Sequence, residues 1–374
     1  MLSEASGGSG STEAADGWAE FNSWDNLLAS WRAASWRAAA AGKRGSPAAA
    51  RFEYRLADQL LRLQQALQQG RWRPGPHTRF TVHEPKRRVI SAAPFADRVV
   101  HHALMRVTAP RLERLFSPHS FANRIGLGTL AAVETVAGLC CRHDWALRLD
   151  VQQHFPSIDH AVLLPLLDRT TPEPGLRQVV RLIVAGGAAP SDEVASAVLL
   201  PGDDLLAALR PRGLPIGNLT SQWWSNAYLD PLDQFITRTL GCRAYARYVD
   251  DMVLLHDDKR VLAEWGAAVR GFALQRLRLR LHVHSAQAQP VRAGVPWLGQ
   301  VLYPGHRRLK SRKVVAATRR LTRAWQQLLA GEVSFDDFDA KVQGWIAHAR
   351  QADSEAIRAV VLGRFDLRQR WHPA

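Results

Sequence analysis

Three aspartates carry the strongest chemical signal in this chain. Asp250 and Asp251 are adjacent in Tyr248-Val249-Asp250-Asp251, within the alternating stretch RAYARYVDDMVLLH at residues 243–256. That stretch predicts two strands around a tight Asp-Asp turn. Two neighbouring carboxylates at a hairpin tip cannot both turn into a core, because burying either one unpaired is costly. They need water or a cation. Asp150 ends another alternating run, in which Trp145, Leu147, Leu149 and Val151 share one face and Arg148 and Asp150 the other. Three carboxylates on neighbouring strand ends make the oxygen-rich site that Mg²⁺ prefers. Two such ions, about 3.5–4 Å apart, activate a 3′-hydroxyl and stabilise a leaving pyrophosphate. The four residues of the hairpin tip, taken alone, also fit an ordinary polar turn, since Asp is common in turns. The third carboxylate is what favours the metal.

The elements that must hold these groups can be read from periodicity. Trp24, Leu27, Leu28 and Trp31 fall at helical spacing within an amphipathic helix over 18–41. A second helix spans 48–69, with Phe52, Leu56, Leu60, Leu63 and Leu67 on one face and Gly70 as its stop. Arg79–His83 and Arg88–Ile90 read as short strands around Glu84-Pro85-Lys86, and a helix covers 95–115. Asp159 is expected to cap the next helix. Residues 186–213, rich in Gly, Pro and Asp, read as a surface insertion, and a helix follows over 220–240. Another helix and strand lead to Pro304, beyond which the chain reads as all helical. Residues 1–17 are small and polar and read as a disordered leader.

Composition narrows the partners. The chain has 374 residues, enough for two or three domains or one multi-lobed enzyme. It carries 49 Lys and Arg against 34 Asp and Glu, a formal net charge of +15. That excess points to a polyanion, nucleic acid first and an anionic membrane second. Eight of the positive charges and no acid lie in 307–323. Three cysteines, Cys140, Cys141 and Cys242, are too few for a disulfide framework or a four-cysteine zinc site and suit a reducing cytosol. No apolar run reaches the ~18 residues of a membrane span. The start of the chain lacks the pattern of a secretory signal. The expected location is cytoplasmic.

With these residues in hand, the chain resembles the bacterial reverse transcriptases, most closely those of diversity-generating retroelements. Tyr248–Asp251 matches their YxDD motif, and LDVQQHFPSIDH at 149–160 resembles their first palm motif. EPKRRVISAAPFADRVVHH at 84–102 resembles the fingers motifs, and SFANRIGLGT at 120–129 the block after them. VPWLG at 295–299 resembles the primer-grip region. These blocks cover about residues 50–350 in the family's order. LPIGNLTSQ at 214–222 discriminates within the family. Retrons, group II intron maturases and viral enzymes usually show Gln before this glycine and Ser-Pro at the end. The retroelement group shows Ile or a similar residue and Ser-Gln, as Ile216-Gly217 and Ser221-Gln222 do here.

The resemblance implies an α+β right-hand polymerase. An N-terminal helical region would span 18–75, fingers and palm with an antiparallel sheet 76–305, and an all-helical thumb 306–374. Asp150, Asp250 and Asp251 would be catalytic and, with Val151, would bind two Mg²⁺ (or Mn²⁺) ions. Lys86, Arg88 and Arg98 would hold the triphosphate, and Phe155 would lie under the incoming sugar and exclude a 2′-hydroxyl. Ile216, Gly217 and Gln222 would complete the nucleotide site. Arg312, Lys313, Arg319, Arg320 and Arg323 would lie along the primer–template duplex. Implied partners are an RNA template, a DNA primer, dNTPs and a small basic accessory variability protein. The His101-His102 pair lacks metal-site companions and is assigned to packing. Two departures stand out. Leu127 replaces a Lys of the family's Gly-Lys-Gly-Thr-His block, and Ser285, beside His284, replaces a Lys that can protonate pyrophosphate. The alternatives are a defence-associated or retron-like reverse transcriptase, or a catalytically silent nucleic-acid-binding scaffold.

Overall fold

The computed structural model describes residues 17–40, 47–83, 87–188, 200, 210–282 and 287–365. Nearly all of the leader, most of the 186–213 insertion, and Lys86, His284 and Ser285 lie outside the described residues. Helices and antiparallel sheets are mixed along the chain. It divides into two compact units. One gathers Met1–Phe116, Gln153–Asp230 and Leu277–Leu279, the other Ser117–Gln152, Pro231–Arg276 and Arg280–Ala374.

The first unit is built on the helix Phe95–Glu113, whose Val99, Val100, Ala103 and Leu104 are fully buried. Asn26 ties the N-terminal helices to it, its Nδ2 donating to the Phe21 and Ala103 carbonyls at 3.0 and 3.1 Å. The single helix expected over 18–41 is two, Gly17–Phe21 and Trp24–Ala40. The cause is Ser23, whose hydroxyl accepts from Asn26 N at 3.1 Å and caps the second helix. The helix expected over 48–69 is likewise divided into Pro47–Tyr54 and Leu56–Gln68, because Arg55 (φ −122°, ψ 46°) leaves helical geometry. Its apolar stripe still buries Phe52, Leu60, Leu63 and Leu67. Strands β1 (Thr78–Val82) and β2 (Arg88–Ala92) pair antiparallel, with Phe80 opposite Ile90. Asp159 caps the helix His160–Asp168 as expected, accepting from Ala161 N at 2.9 Å.

The second unit holds a four-stranded antiparallel sheet in the order β4-β5-β3-β6. Its strands are β3 (Trp145–Asp150), β4 (Tyr245–Tyr248), β5 (Asp251–His256) and β6 (Gln289–Pro290). The helix Thr129–Cys140, which periodicity did not single out, packs Val133 and Val136 on Ala146, Val253 and Leu255. From the other face the helix Lys259–Leu277 approaches so closely that a Cβ on Gly266 would meet Leu147 Cδ2 at 2.9 Å. Both faces of β3 are thus covered, and the half-buried positions toward its end are Arg148 and Asp150.

A second sheet of three antiparallel strands follows, β7 (Val295–Trp297), β8 (Gln300–Tyr303) and β9 (His306–Leu309). β9 corrects the expectation of an all-helical end beyond Gly305. Gly305, at φ +78°, turns the chain back, and residues 306–309 pair with β8 instead of starting a helix. The helices Ser311–Leu329, Phe335–Ala349 and Glu355–Leu362 complete the unit. The expected helix over 220–240 is regular only over Leu219–Gln234 and ends in a π turn, Phe235–Thr239.

Candidate active site

The antiparallel register of β3 and β5 sets Asp150 directly opposite Asp251. Residues paired in this way project from the same face of a sheet. Asp251 is also the partner of Tyr248 across the β4–β5 hairpin, which makes Val249-Asp250 a two-residue loop. The tight turn is therefore Val249-Asp250, and Asp251 already belongs to the strand, where the sequence pattern placed both aspartates in the turn. Asp150 is pinned further by its carbonyl, which accepts from His282 N at 2.9 Å. Val151 bridges antiparallel to Leu281, and its side chain is buried.

Positive charge surrounds this pair. The Arg148 guanidinium lies 3.7 Å from Asp251 Oδ1. Lys310, anchored by its backbone N–H on the Gly299 carbonyl at 3.1 Å, is held below the ordinary lysine pKa. Burial is the main cause, helped by Arg148 and Arg312 and opposed by Asp251. Two carboxylates in register offer hard oxygen donors that fit a divalent cation of the Mg²⁺ kind. The fit is partial. Asp250 occupies the turn, and among the described residues no group of three or more His, Cys, Asp or Glu side chains converges as a ready metal cage.

Behind the hairpin lies a buried network that sequence reasoning missed. Arg247 and Asp233 are both fully buried and 2.6 Å apart. Tyr245 donates its hydroxyl to Asp233 Oδ1 at 2.7 Å, and Arg247 Nη1 donates to the Val249 carbonyl at 2.9 Å. Burial, with the charge of Asp233, holds the Tyr245 hydroxyl far above the usual tyrosine range, so it stays a donor. A signal was present: Tyr245 and Arg247 are two apart on one strand and so share a face.

The other candidates divide between the units. In the first unit, Phe155 is half-buried in the short helix His154–Ser157. Its carbonyl accepts from Leu214 N at 2.9 Å, and its ring meets His154 edge-on at 5.2 Å. His154 in turn bonds Ser225 Oγ at 2.7 Å. Ile216 gives its carbonyl to Ser91 N at 3.1 Å. Gly217 has φ +111°, and a Cβ there would press on Ile90 Cγ2 at 3.0 Å, which accounts for glycine at this position. Gly217, Gln222 and Arg98 line one cavity of about 250 Å³ with Ile90 and His101. Ile216 lines a different, smaller one with Pro156 and His77. Arg98 directs its Nε to the Ala93 carbonyl at 2.9 Å, and burial lowers its pKa. Arg88 is exposed at the start of β2. His101 and His102 are neutral, with burial pulling their pKa values down to about 3 and about 4, which agrees with a packing role.

In the second unit, Arg312, Lys313, Arg319, Arg320 and Arg323 are all exposed on the helix Ser311–Leu329. Ala317, Leu321, Ala324, Trp325 and Leu328 form its buried stripe. The five cations are therefore displayed on the face turned from the core.

No family model matches the chain. No curated protein matches it. Among solved structures, it is similar to telomerase from Candida albicans, solved with a fragment of telomeric RNA, at 10% identity and a TM-score of 0.44. The match covers 70% of this chain, which spans about half (52%) of that structure's length.

Proposed function

We propose that this protein is an RNA-directed DNA polymerase that makes cDNA by two-metal phosphoryl transfer, and that it is the error-prone enzyme of a diversity-generating retroelement. The observation that carries the reading is the register of Asp150 opposite Asp251 at the foot of the Tyr248–Asp251 hairpin. Supporting it is the order of the sequence blocks around them, from the fingers-like segment at 84–102 to the primer-grip-like VPWLG at 295–299. The fold assigned on this reading is the right-hand polymerase.

Asp150, Asp250, Asp251 and the Val151 carbonyl would hold Mg²⁺, and Mn²⁺ suits the same oxygen set. When bound, such ions lower the pKa of the 3′-hydroxyl and stabilise the departing pyrophosphate. The chain's own side chains do the rest. Lys86, Arg88 and Arg98 bind the triphosphate through charge-assisted bonds. Phe155 bars a 2′-hydroxyl, while Gly217 and Gln222 shape the nucleotide site. The exposed cations of Ser311–Leu329 hold the RNA–DNA hybrid by its backbone, read through shape rather than sequence. A basic accessory variability protein is the proposed protein partner. Among the described residues no helix is long and apolar enough to cross a membrane.

The cation face makes a direct prediction. RNA binding weakens steeply with salt, and neutralising Arg319, Arg320 and Arg323 together flattens the log–log slope by about 0.7–0.9 for each phosphate no longer neutralised. Binding isotherms across a salt series measure it. A slope unmoved by all three changes would place the duplex elsewhere.

Fidelity separates the retroelement reading from a defence-associated or retron-like one. The Ile216 side chain has no donor or acceptor with which to brace the nascent pair, as a Gln side chain at this position can. Discrimination is a difference in transition-state stabilisation, and about 1.4 kcal/mol of it is tenfold in errors. Sequenced cDNA from a defined RNA should show frequent misincorporation opposite adenine, reduced by Ile216→Gln, alone or with Gln222→Pro. Adenine errors no more frequent than others, and indifferent to Ile216→Gln, would favour the defence or retron role.

A further inference from the structure

We infer that Arg247 and Asp233 form a buried lock that fixes the register of the β4–β5 hairpin and so positions the candidate metal carboxylates; the inference rests on the polymerase reading above. Neither residue touches substrate in this assignment. They act through the turn.

Arg247 is held on every side. Its Nε donates to Asp233 Oδ1 at 2.8 Å and its Nη2 to Oδ2 at 2.6 Å, while Tyr245 adds a hydroxyl to Oδ1 at 2.7 Å. Its backbone is clamped too, N–H to the His119 carbonyl at 2.8 Å and carbonyl from Phe121 N at 3.0 Å. From this fixed point, Nη1 reaches the Val249 carbonyl at 2.9 Å. Val249 has φ +56°, in the left-handed region. A two-residue hairpin loop requires positive φ and normally recruits Gly, Asn or Asp for it. A β-branched residue in that conformation is an outlier that persists only where its surroundings enforce it. The guanidinium bond to its carbonyl is the enforcing interaction.

The consequence is geometric. Side chains alternate along a strand, and β3 already holds Asp251 opposite Asp150, so a slip of one residue at the turn would take Tyr248 off its rung with Asp251 and re-aim the loop that carries Asp250. The pair Tyr248–Asp251 is the last rung before the loop, where a slip would begin. Arg247 pairs with Met252 on the adjoining rung. A buried ion pair is often no more stabilising than apolar residues of the same volume, and its best-attested use is to specify register. The pair here is placed for that use.

The test compares wild type with Arg247→Lys, Asp233→Asn and Arg247→Lys/Val249→Gly in the full chain. Lysine can keep the ion pair but not the fork that also reaches Val249. Glycine adopts positive φ without help. Melting temperature, kcat and dNTP KM in primer extension, and Mn²⁺ affinity by electron paramagnetic resonance are measured for each. Arg247→Lys should lower kcat about a hundredfold with little change in KM, as a small misplacement of reacting groups does. It should weaken Mn²⁺ binding about tenfold, the scale for partners that orient metal ligands. Val249→Gly should restore most of both in that background, beyond any change in the melting temperature. Folded Arg247→Lys with wild-type kcat and Mn²⁺ affinity would overturn the lock. So would a Val249→Gly rescue confined to the melting temperature. Should Arg247→Lys fail to fold, Asp233→Asn decides by the same two readouts. A wild-type chain that extends no primer would refute the polymerase reading instead, and the Mn²⁺ affinities would still judge the lock.

Discussion

Asp250→Ala and Asp251→Ala should each lower DNA synthesis by more than about a thousandfold, the scale on which preorganised charge at a phosphoryl centre acts. Both variants should stay folded and keep their RNA affinity. The reason lies in where the carboxylates stand. Asp150 and Asp251 face one another across β3 and β5, half-buried, with Arg148 3.7 Å from Asp251. Like charges in such a pair repel, so the loss of one does not leave an uncompensated acid. Mg²⁺ should raise the melting temperature of the wild type, because a ligand that binds the native state stabilises it. That shift should vanish in Asp251→Ala. Extension by either variant at near wild-type rate would remove these residues from the centre of the chemistry.

Phe155→Ala should admit rNTPs, with discrimination against the 2′-hydroxyl falling roughly a hundredfold, while dNTP incorporation persists. Phe155 is only half-buried, so truncation opens a wall without emptying a core position. Its backbone is held independently of its ring by the Leu214 N–H at 2.9 Å. The short helix that carries it should therefore survive the substitution. Competition between dNTP and rNTP in single-nucleotide extension measures the ratio. Unchanged sugar selectivity in a folded Phe155→Ala protein would return the ring to a packing role.

The parts of this architecture that sequence displays are those governed by local rules. Alternation in Trp145–Val151 and around Tyr248–Asp251 marks strands with polar ends, and the structure pairs them through Asp150 and Asp251. Asp159 announces a helix start through its own side chain. What stayed hidden depends on partners distant in the chain or on local competition. Nothing next to Arg247 in the chain names its partner: Asp233, on the far side of a π turn, is brought to it by the fold. The strand His306–Leu309 is concealed within a basic run that looks helical, because its pairing partner β8 decides its conformation. Ser23 divides a periodic stretch by capping a new helix, which periodicity alone cannot register. Lys86, His284 and Ser285 lie outside the described residues, so their roles rest on the sequence resemblance.

The central claim is templated synthesis of DNA on RNA, and primer extension tests it most directly. The full-length chain is incubated with poly(rA)/oligo(dT), dTTP and Mg²⁺, with the Asp150→Asn protein and an EDTA-treated sample alongside. A ladder of extended primers is expected from the wild type and none from either control. A folded wild-type protein that binds the duplex but adds no nucleotide, with Mg²⁺ or Mn²⁺, would contradict the claim and leave a nucleic-acid-binding scaffold in its place.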